Sequence, residues 1–387
     1  MTRDLKRYLI PVLAGVMLNT SENLLAEPVV FISAFAAGED GAIHAYHLNL
    51  DSGRLDLIHR TTDMEHPFFM AVSPNGKFLY SIHAPGEFGG KAHEQIASYE
   101  LSGGNGKLKL LNRQSTLGSA SCYVDVDATG KSVLVANYAT GSLASYPVRE
   151  DGSLGKAMSF IQHEGSSIDA SRQEGPHAHC SVVSPDNRFV YAADLGIDQV
   201  RGYRLSTGEA KLSSNRQPFV RTPPGAGPRH LTFHPNGNHL YVINELANSV
   251  TVFNYDSHSG ILIEQQTIAT LPRDFDGESY CADVKITPNG RFLYGTNRGH
   301  DSIAAYRIDE SGQLSLLQIE PSLGAGPQNL AITPGGEVLL CANMPGNHVR
   351  VFRINPDTGA LTALGEPVTM PSPSCILVYE KEPGNSK

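Results

Sequence analysis

The sequence predicts an all-β fold, a seven-bladed β-propeller closed by both termini, and three observations carry that expectation. A four-residue turn recurs along the chain: Ser73-Pro74-Asn75-Gly76, Asp127-Ala128-Thr129-Gly130, Ser184-Pro185-Asp186-Asn187, His234-Pro235-Asn236-Gly237, Thr287-Pro288-Asn289-Gly290 and Thr333-Pro334-Gly335-Gly336. The spacing, about 46 to 57 residues, is that of propeller or solenoid repeats. Each turn precedes an apolar segment of one pattern: FLYSIH, VLVANY, FVYAAD, LYVIN, FLYGTN and LLCANM. A third segment then ends near an aromatic residue (Tyr99, Tyr146, Tyr203, Phe253, Tyr306, Phe352), and a fourth follows a Gly turn such as Gly152-Ser153-Leu154. Four strands per repeat make a propeller blade.

Residues 1–26 stand outside the repeats. Arg3, Lys6 and Arg7 give a basic start, Tyr8 to Leu18 is mostly apolar, and Ala26 precedes Glu27-Pro28. That is the pattern of a secretory signal peptide, and the apolar run is too short to span a bilayer. The expected location is therefore periplasmic or secreted, with the cytoplasm as the alternative, and residues 27–387 are expected to form one propeller domain.

Val29 to Ser33, Ala42 to Leu48 and Arg54 to Ile58 read as the second, third and fourth strands of a blade without a first. Ser374 to Tyr379 has the first-strand pattern with no repeat behind it. Joining the two ends completes the seventh blade and removes the open edge of the ring. Two insertions, Ala84 to Glu94 and Gly165 to Glu174, lie at strand ends, where loops carry function on a rigid scaffold.

Composition narrows the function. The 387-residue chain has a net charge of −9 and no basic cluster, which argues against nucleic acid as a partner. The five cysteines are scattered without CxxC spacing. They read as small buried hydrophobes rather than metal ligands, a disulfide framework or nucleophiles. No HExxH, Walker loop or GxSxG occurs, so neither a cofactor nor a metal is expected. A small-molecule substrate and a monomer are the expected state.

Aligning the repeats separates scaffold from site. At the start of the first strand the series is Phe68, Cys122, His179, Arg229, Ala282, Gln328, Ser374, mostly apolar or small. His179 and Arg229 depart from it in adjacent repeats. One residue beyond the second strand the series is Ala84, Tyr138, Leu195, Glu245, Arg298, Met344, and here Glu245 and Arg298 depart. A strand start and the end of its antiparallel partner share one face, so these four residues should meet at one mouth of the ring. A structural ion pair within one blade would also place Arg229 beside Glu245. The residue before, Asn137, Asp194, Asn244, Asn297 and Asn343, recurs as an Asx turn would require. Asn244 and Asn297 are nonetheless candidates for substrate binding, with His177 and Gln328. His230, His234 and His239 read as strand or turn residues.

GPRHLTFHPNG followed by YVINELANSV, together with GPHAH, TNRGHDSIAAY and the split closing blade, resembles the lactonase family of seven-bladed propellers. That family includes bacterial 6-phosphogluconolactonases and fungal carboxymuconate-lactonising enzymes. The resemblance runs over about residues 29 to 380. It implies a site of one His, two Arg and one Glu, here His179, Arg229, Glu245 and Arg298. Gln328 departs from it, standing where the family often has a basic residue. It implies hydrolysis of a lactone, phosphorylated if the protein is cytoplasmic and unphosphorylated if exported. Glu245 or His179 would be the general base, and the arginines would hold anionic groups. A muconate-type cycloisomerase and a non-catalytic anion-binding propeller are the alternatives.

Overall fold

The computed structural model describes residues 27–86, 88–90, 94–102 and 105–379; the signal-peptide expectation for 1–26 lies outside the described residues. Among the described residues, seven four-stranded antiparallel sheets make up the fold, and helix is limited to two 3-10 turns, Gly38–Asp40 and Leu195–Ile197. Six sheets follow chain order and form blades one to six, over residues 70–115, 121–162, 178–221, 228–269, 280–321 and 327–369. In the seventh sheet, Pro373–Tyr379 pairs with Val29–Ala34, which continues to Ala42–Leu48 and Leu55–Thr61.

The repeated turns work as their chemistry predicts. In each, the fourth residue donates its N–H to the carbonyl of the first, as Gly237 does to His234 at 2.9 Å. The fourth residue takes positive φ every time, and in blade three Asn187 does so in place of glycine, with φ 59°. Second strands are buried along their whole length in blades two, three, four and six, so they read as continuous apolar runs.

Apolar clusters form between neighbouring sheets. Val182, Phe189 and Tyr191 of blade three pack with Leu231, Leu240 and Phe253 of blade four. Tyr241 and Ile243 of blade four pack in turn with Leu293 and Tyr306 of blade five. A second-strand tyrosine then latches each pair. The hydroxyls of Tyr191, Tyr241 and Tyr294 donate to the carbonyls of Gly260, Gly312 and Gly359 in the next blade, each at 2.8 Å. Gly260 has φ +68°, and a Cβ there would lie 2.5 Å from the Phe189 ring, so this turn admits only glycine without displacement.

Six of the seven first strands share one irregularity. Their pairing with the second strand skips Cys122, His179, Arg229, Gln328 and Ser374 in five sheets, and Ala282-Asp283 in blade five. Each is a β-bulge, which leaves the extra residue out of the ladder and re-aims its side chain. The repeat position that carries the unusual residues is the bulge.

Candidate active site

Bulge residues Cys122, His179, Arg229 and Gln328 line a cavity of about 220 Å³ together with Phe68, the aligned residue of blade one. Glu245 and Arg298 line it from the ends of second strands, and Arg172, Tyr138, Ala120 and Phe88 complete it. All four residues expected at one mouth are therefore brought together. A cavity below the roughly 300–1,000 Å³ of drug-sized pockets suits one small molecule.

Glu245 is the hub. Its Oε1 accepts from Arg172 Nη2 at 2.6 Å. Its Oε2 lies 2.9 Å from both Arg229 Nε and Arg298 Nη2. The Arg229 Nε–H is not aimed along that line, so the contact is ion pairing rather than a hydrogen bond. Burial raises the Glu245 pKa, but the charges of Arg298, Arg229 and Arg172 outweigh it and hold the carboxyl below its ordinary value. Glu245 is thus an anion with both oxygens engaged.

Arg229 is 2 % exposed, and its Nη1 donates to the Ala282 carbonyl at 2.6 Å and to His230 Nε2 at 3.2 Å. Burial, then the charge of Arg298, pushes its pKa down to about 10, so it is a cation at neutral pH. Arg298 donates to the carbonyls of Tyr280 and Cys281, and its Nη1 to Gln328 Oε1 at 3.3 Å. Gln328 thereby fixes an arginine as well as lining the cavity. Three guanidinium groups face one carboxylate, leaving a surplus of positive charge for an anionic or oxyanionic ligand.

His179 occupies the same bulge position in the blade next to that of Arg229, edge-on to Tyr138 and to His230, with ring centroids 5.3 Å away in both cases. Burial, followed by the charge of Arg229, pushes its pKa well below the ordinary histidine value, so the imidazole is neutral. Its Nδ1 is buried without a hydrogen-bond partner, which leaves Nε2 as the nitrogen open to the cavity.

The remaining candidates fall elsewhere. Asn244 is buried and donates to Ser249 and Thr251 of its own blade. Asn297 is buried and donates to the Thr270 carbonyl and to Ser302. Neither lines the cavity: each ties a strand end to the adjoining segments, as a recurring Asx position should. His177 stacks on the Tyr138 ring, centroids 4.5 Å apart, and so supports a lining residue from behind. All five cysteines are buried and free. Cys122 Sγ donates to the His179 carbonyl at 3.2 Å.

Several site residues carried no repeat signal. Arg172 comes from the 165–174 insertion, which the buried Gln173 pins through donations to the Leu195 carbonyl and Asp198, both at 2.8 Å. Its guanidinium lies 5.6 Å from the centroid of the Tyr280 ring. Phe88 comes from the other insertion. Glu94 holds the base of that segment by accepting from the backbone N–H groups of Gly89, Ala120 and Ser121. His230, expected to be a plain strand residue, lies directly behind Arg229.

Among the described residues no helix is long and apolar enough to cross a membrane, and no cluster of His, Cys, Asp and Glu could hold a metal ion.

Comparison with known proteins agrees with the architecture. Residues 29–378 match the family model described as lactonase, 7-bladed beta-propeller. A 6-phosphogluconolactonase of Bacillus subtilis is 33% identical over 347 residues, covering 89% of this chain and 97% of that protein. Another, from Formosa agariphila, is 32% identical over 90% of this chain and 99% of its own. The solved structure of a periplasmic gluconolactonase from Pseudomonas aeruginosa superposes with a TM-score of 0.85 at 30% identity, covering 91% of this chain and 98% of that one.

Proposed function

This chain belongs to the lactonase family of seven-bladed β-propellers, and from that premise we propose that it hydrolyses a sugar lactone of the aldonolactone type outside the cytoplasm. The observation that carries the reading is the pairing of a neutral imidazole with surplus guanidinium charge around one small cavity.

Opening a lactone adds water across an internal ester. The water oxygen bonds to the carbonyl carbon while His179 Nε2 takes the water proton, and the carbonyl oxygen becomes an oxyanion facing Arg229 and Arg298. Collapse of that intermediate breaks the ring carbon–oxygen bond. The imidazolium returns its proton to the departing alkoxide, and the product is an open-chain hydroxy acid.

Glu245 is the weaker choice for the base because its pKa is depressed and both oxygens are engaged. Its role is to hold the three arginines in one place. As the oxyanion forms beside Arg229, the charge that depresses the His179 pKa is offset, so the imidazole becomes a better base when it is needed.

The choice of an unphosphorylated substrate is supported by the basic, apolar and small-residue pattern of residues 1–26 and by the likeness to a periplasmic gluconolactonase. The test is hydrolysis of gluconolactone and its 6-phosphate, corrected for spontaneous opening, with cell fractionation of the native protein. Turnover of gluconolactone by a periplasmic form starting near Glu27 is expected. A full-length cytoplasmic form that prefers the 6-phosphate reverses the substrate assignment. Anion binding without turnover of any lactone favours the binding propeller.

A further inference from the structure

Behind Arg229, a chain of hydrogen bonds crosses four blades. It begins at the Ile376 N–H of the closing blade, which donates to Asn329 Oδ1 at 2.7 Å. Asn329 Nδ2 donates to Asp283 Oδ2 at 2.7 Å, and the Leu330 N–H donates to the same oxygen at 2.9 Å. Asp283 Oδ1 accepts from His230 Nδ1 at 2.8 Å and from the Val284 N–H at 2.9 Å. Lys285 Nζ lies within 2.9 Å of both carboxylate oxygens. Asp283 therefore has no freedom to rotate.

The chain ends on the site. A guanidinium only donates, so the 3.2 Å contact between Arg229 Nη1 and His230 Nε2 requires a lone pair on Nε2 and the proton on Nδ1. Asp283 enforces that tautomer by accepting from Nδ1. The His230 ring is also held edge-on by Phe69 and Tyr123, at centroid distances of 5.8 and 5.1 Å. Asp283 itself sits in the blade-five bulge, beside the Ala282 carbonyl that accepts the other bond from Arg229 Nη1. Both acceptors that fix Nη1 thus belong to one rigid unit.

We propose that His230, locked by Asp283, is the positioning residue that aims the Arg229 guanidinium into the cavity. His230 does not line the cavity; it meets the lining through its hydrogen bond to Arg229 and an edge-on contact with His179, and the positioning role runs through the first. The proposal rests on the lactonase reading for its kinetic test. Displacing a catalytic group by about 1 Å costs up to on the order of 100-fold in rate.

The experiment is a double-mutant cycle of His230→Asn and Arg229→Gln on an active lactone, with melting temperatures and crystal structures of wild type and His230→Asn. His230→Asn should lower kcat by roughly 10- to 100-fold with KM little changed. In the Arg229→Gln background it should cost much less, since residues coupled through one contact are not additive and only the edge-on packing on His179 is left to lose. His230→Gln, whose Oε1 reaches toward the Nε2 position and accepts from Arg229, should recover part of the rate. Equal losses in both backgrounds, or His230→Gln no better than His230→Asn, overturn the proposal. If wild type opens no lactone, the proposed function fails, and the crystal structures alone decide the positioning role. A guanidinium still on the Ala282 carbonyl in His230→Asn then overturns it.

Discussion

Arg172 Nη2 lies 2.6 Å from Glu245 Oε1, so a side chain from the insertion between blades two and three closes the charge cluster built by blades four and five. Arg172 is also the most accessible of the three arginines on that carboxylate, its side chain 32 % exposed against 2 % for Arg229 and 26 % for Arg298. The cluster is graded from the buried interior outward.

Arg172→Ala should therefore be tolerated by the fold but felt at the site. A hydrogen bond to a charged group contributes about 1.5–3 kcal/mol, and partial exposure places the expected stability loss at the lower end. Glu245 keeps two cationic neighbours, so the cluster survives with Oε1 released. Lactone turnover should drop while the melting temperature shifts by a few degrees, read by kinetics and thermal unfolding on the same preparation. Turnover unchanged within error would remove Arg172 from the site.

Arg229→Gln and Arg298→Gln should each cost roughly 2–4 kcal/mol of transition-state stabilisation, the scale of losing an oxyanion donor. The two differ in stability. Arg229 is sealed against Glu245 and the Ala282 carbonyl, so its loss leaves Glu245 with less compensation in a buried place. Arg298 is partly exposed, and its replacement should lower melting temperature less. Steady-state kinetics with paired melting curves separate the two effects. A loss of stability with turnover per folded molecule intact would assign either arginine to the scaffold.

The latch between blades gives a scaffold control. Tyr241→Phe removes one buried hydrogen bond to Gly312 and should cost about 1 kcal/mol. Gly260→Ala should cost more, because φ +68° and the Phe189 ring both exclude a methyl group. Neither residue touches the cavity, so kcat should stay unchanged. Chemical denaturation measures the first effect, and the ordering of the two variants is the critical result.

The ring and half the lining of the candidate site were legible in the sequence for the same reason. Seven near-copies of one unit show what each position needs, so a His or Arg at a position that elsewhere tolerates Phe, Cys or Ala stands out. The structure gives the cause: that position is a β-bulge, free of ladder constraints, and Cys122, His179, Arg229 and Gln328 face the cavity from it. The same logic reads Asn244 and Asn297 as strand-end residues, and their burial agrees; being next to Glu245 and Arg298 in sequence did not bring them to the cavity. Arg172 and Phe88 had no counterparts to compare, because insertions occur once. His230 was hidden for another reason. Its meaning depends on Asp283, 53 residues away, and no local pattern announces that partner.

Stability should fall as the medium is acidified below pH 6.5. Burial, followed by nearby arginine charge, pushes His83 down to about 3, and His44 and His230 down to about 4. Between those values and about 6.5 the unfolded chain binds protons that the folded chain does not, so stability rises with pH across that window. Near pH 5 unfolding should take up about three protons from these groups, a slope of roughly 1.4 kcal/mol per pH unit for each. The depressed Glu245 carboxyl adds to the loss only below its unfolded value near 4.5, as pH falls toward its folded one. Urea unfolding from pH 4.5 to 7 measures the slope. His83→Gln should reduce it by about one proton, and a flat profile would mean these histidines are protonated in the fold.

The choice between His179 and Glu245 as base turns on what happens when each is neutralised. With His179 in place, kcat/KM should stay level from pH 8 down past 6.5, because its pKa lies well below the ordinary histidine value. His179→Asn leaves no group to take the water proton, so attack must use hydroxide. The residual rate should then rise about tenfold per pH unit, from a level on the order of a hundredfold or more below wild type. Glu245→Gln acts differently. It removes the one carboxylate facing three guanidinium groups, so stability should fall along with rate, yet the level pH profile should persist because His179 still accepts the proton. The assay is kcat/KM from pH 6 to 8 for both variants, corrected for spontaneous opening, with melting temperature measured at each pH. If Glu245→Gln is the variant that acquires hydroxide dependence while His179→Asn keeps a level profile, the base is Glu245 and the neutral imidazole serves only to shape the cavity.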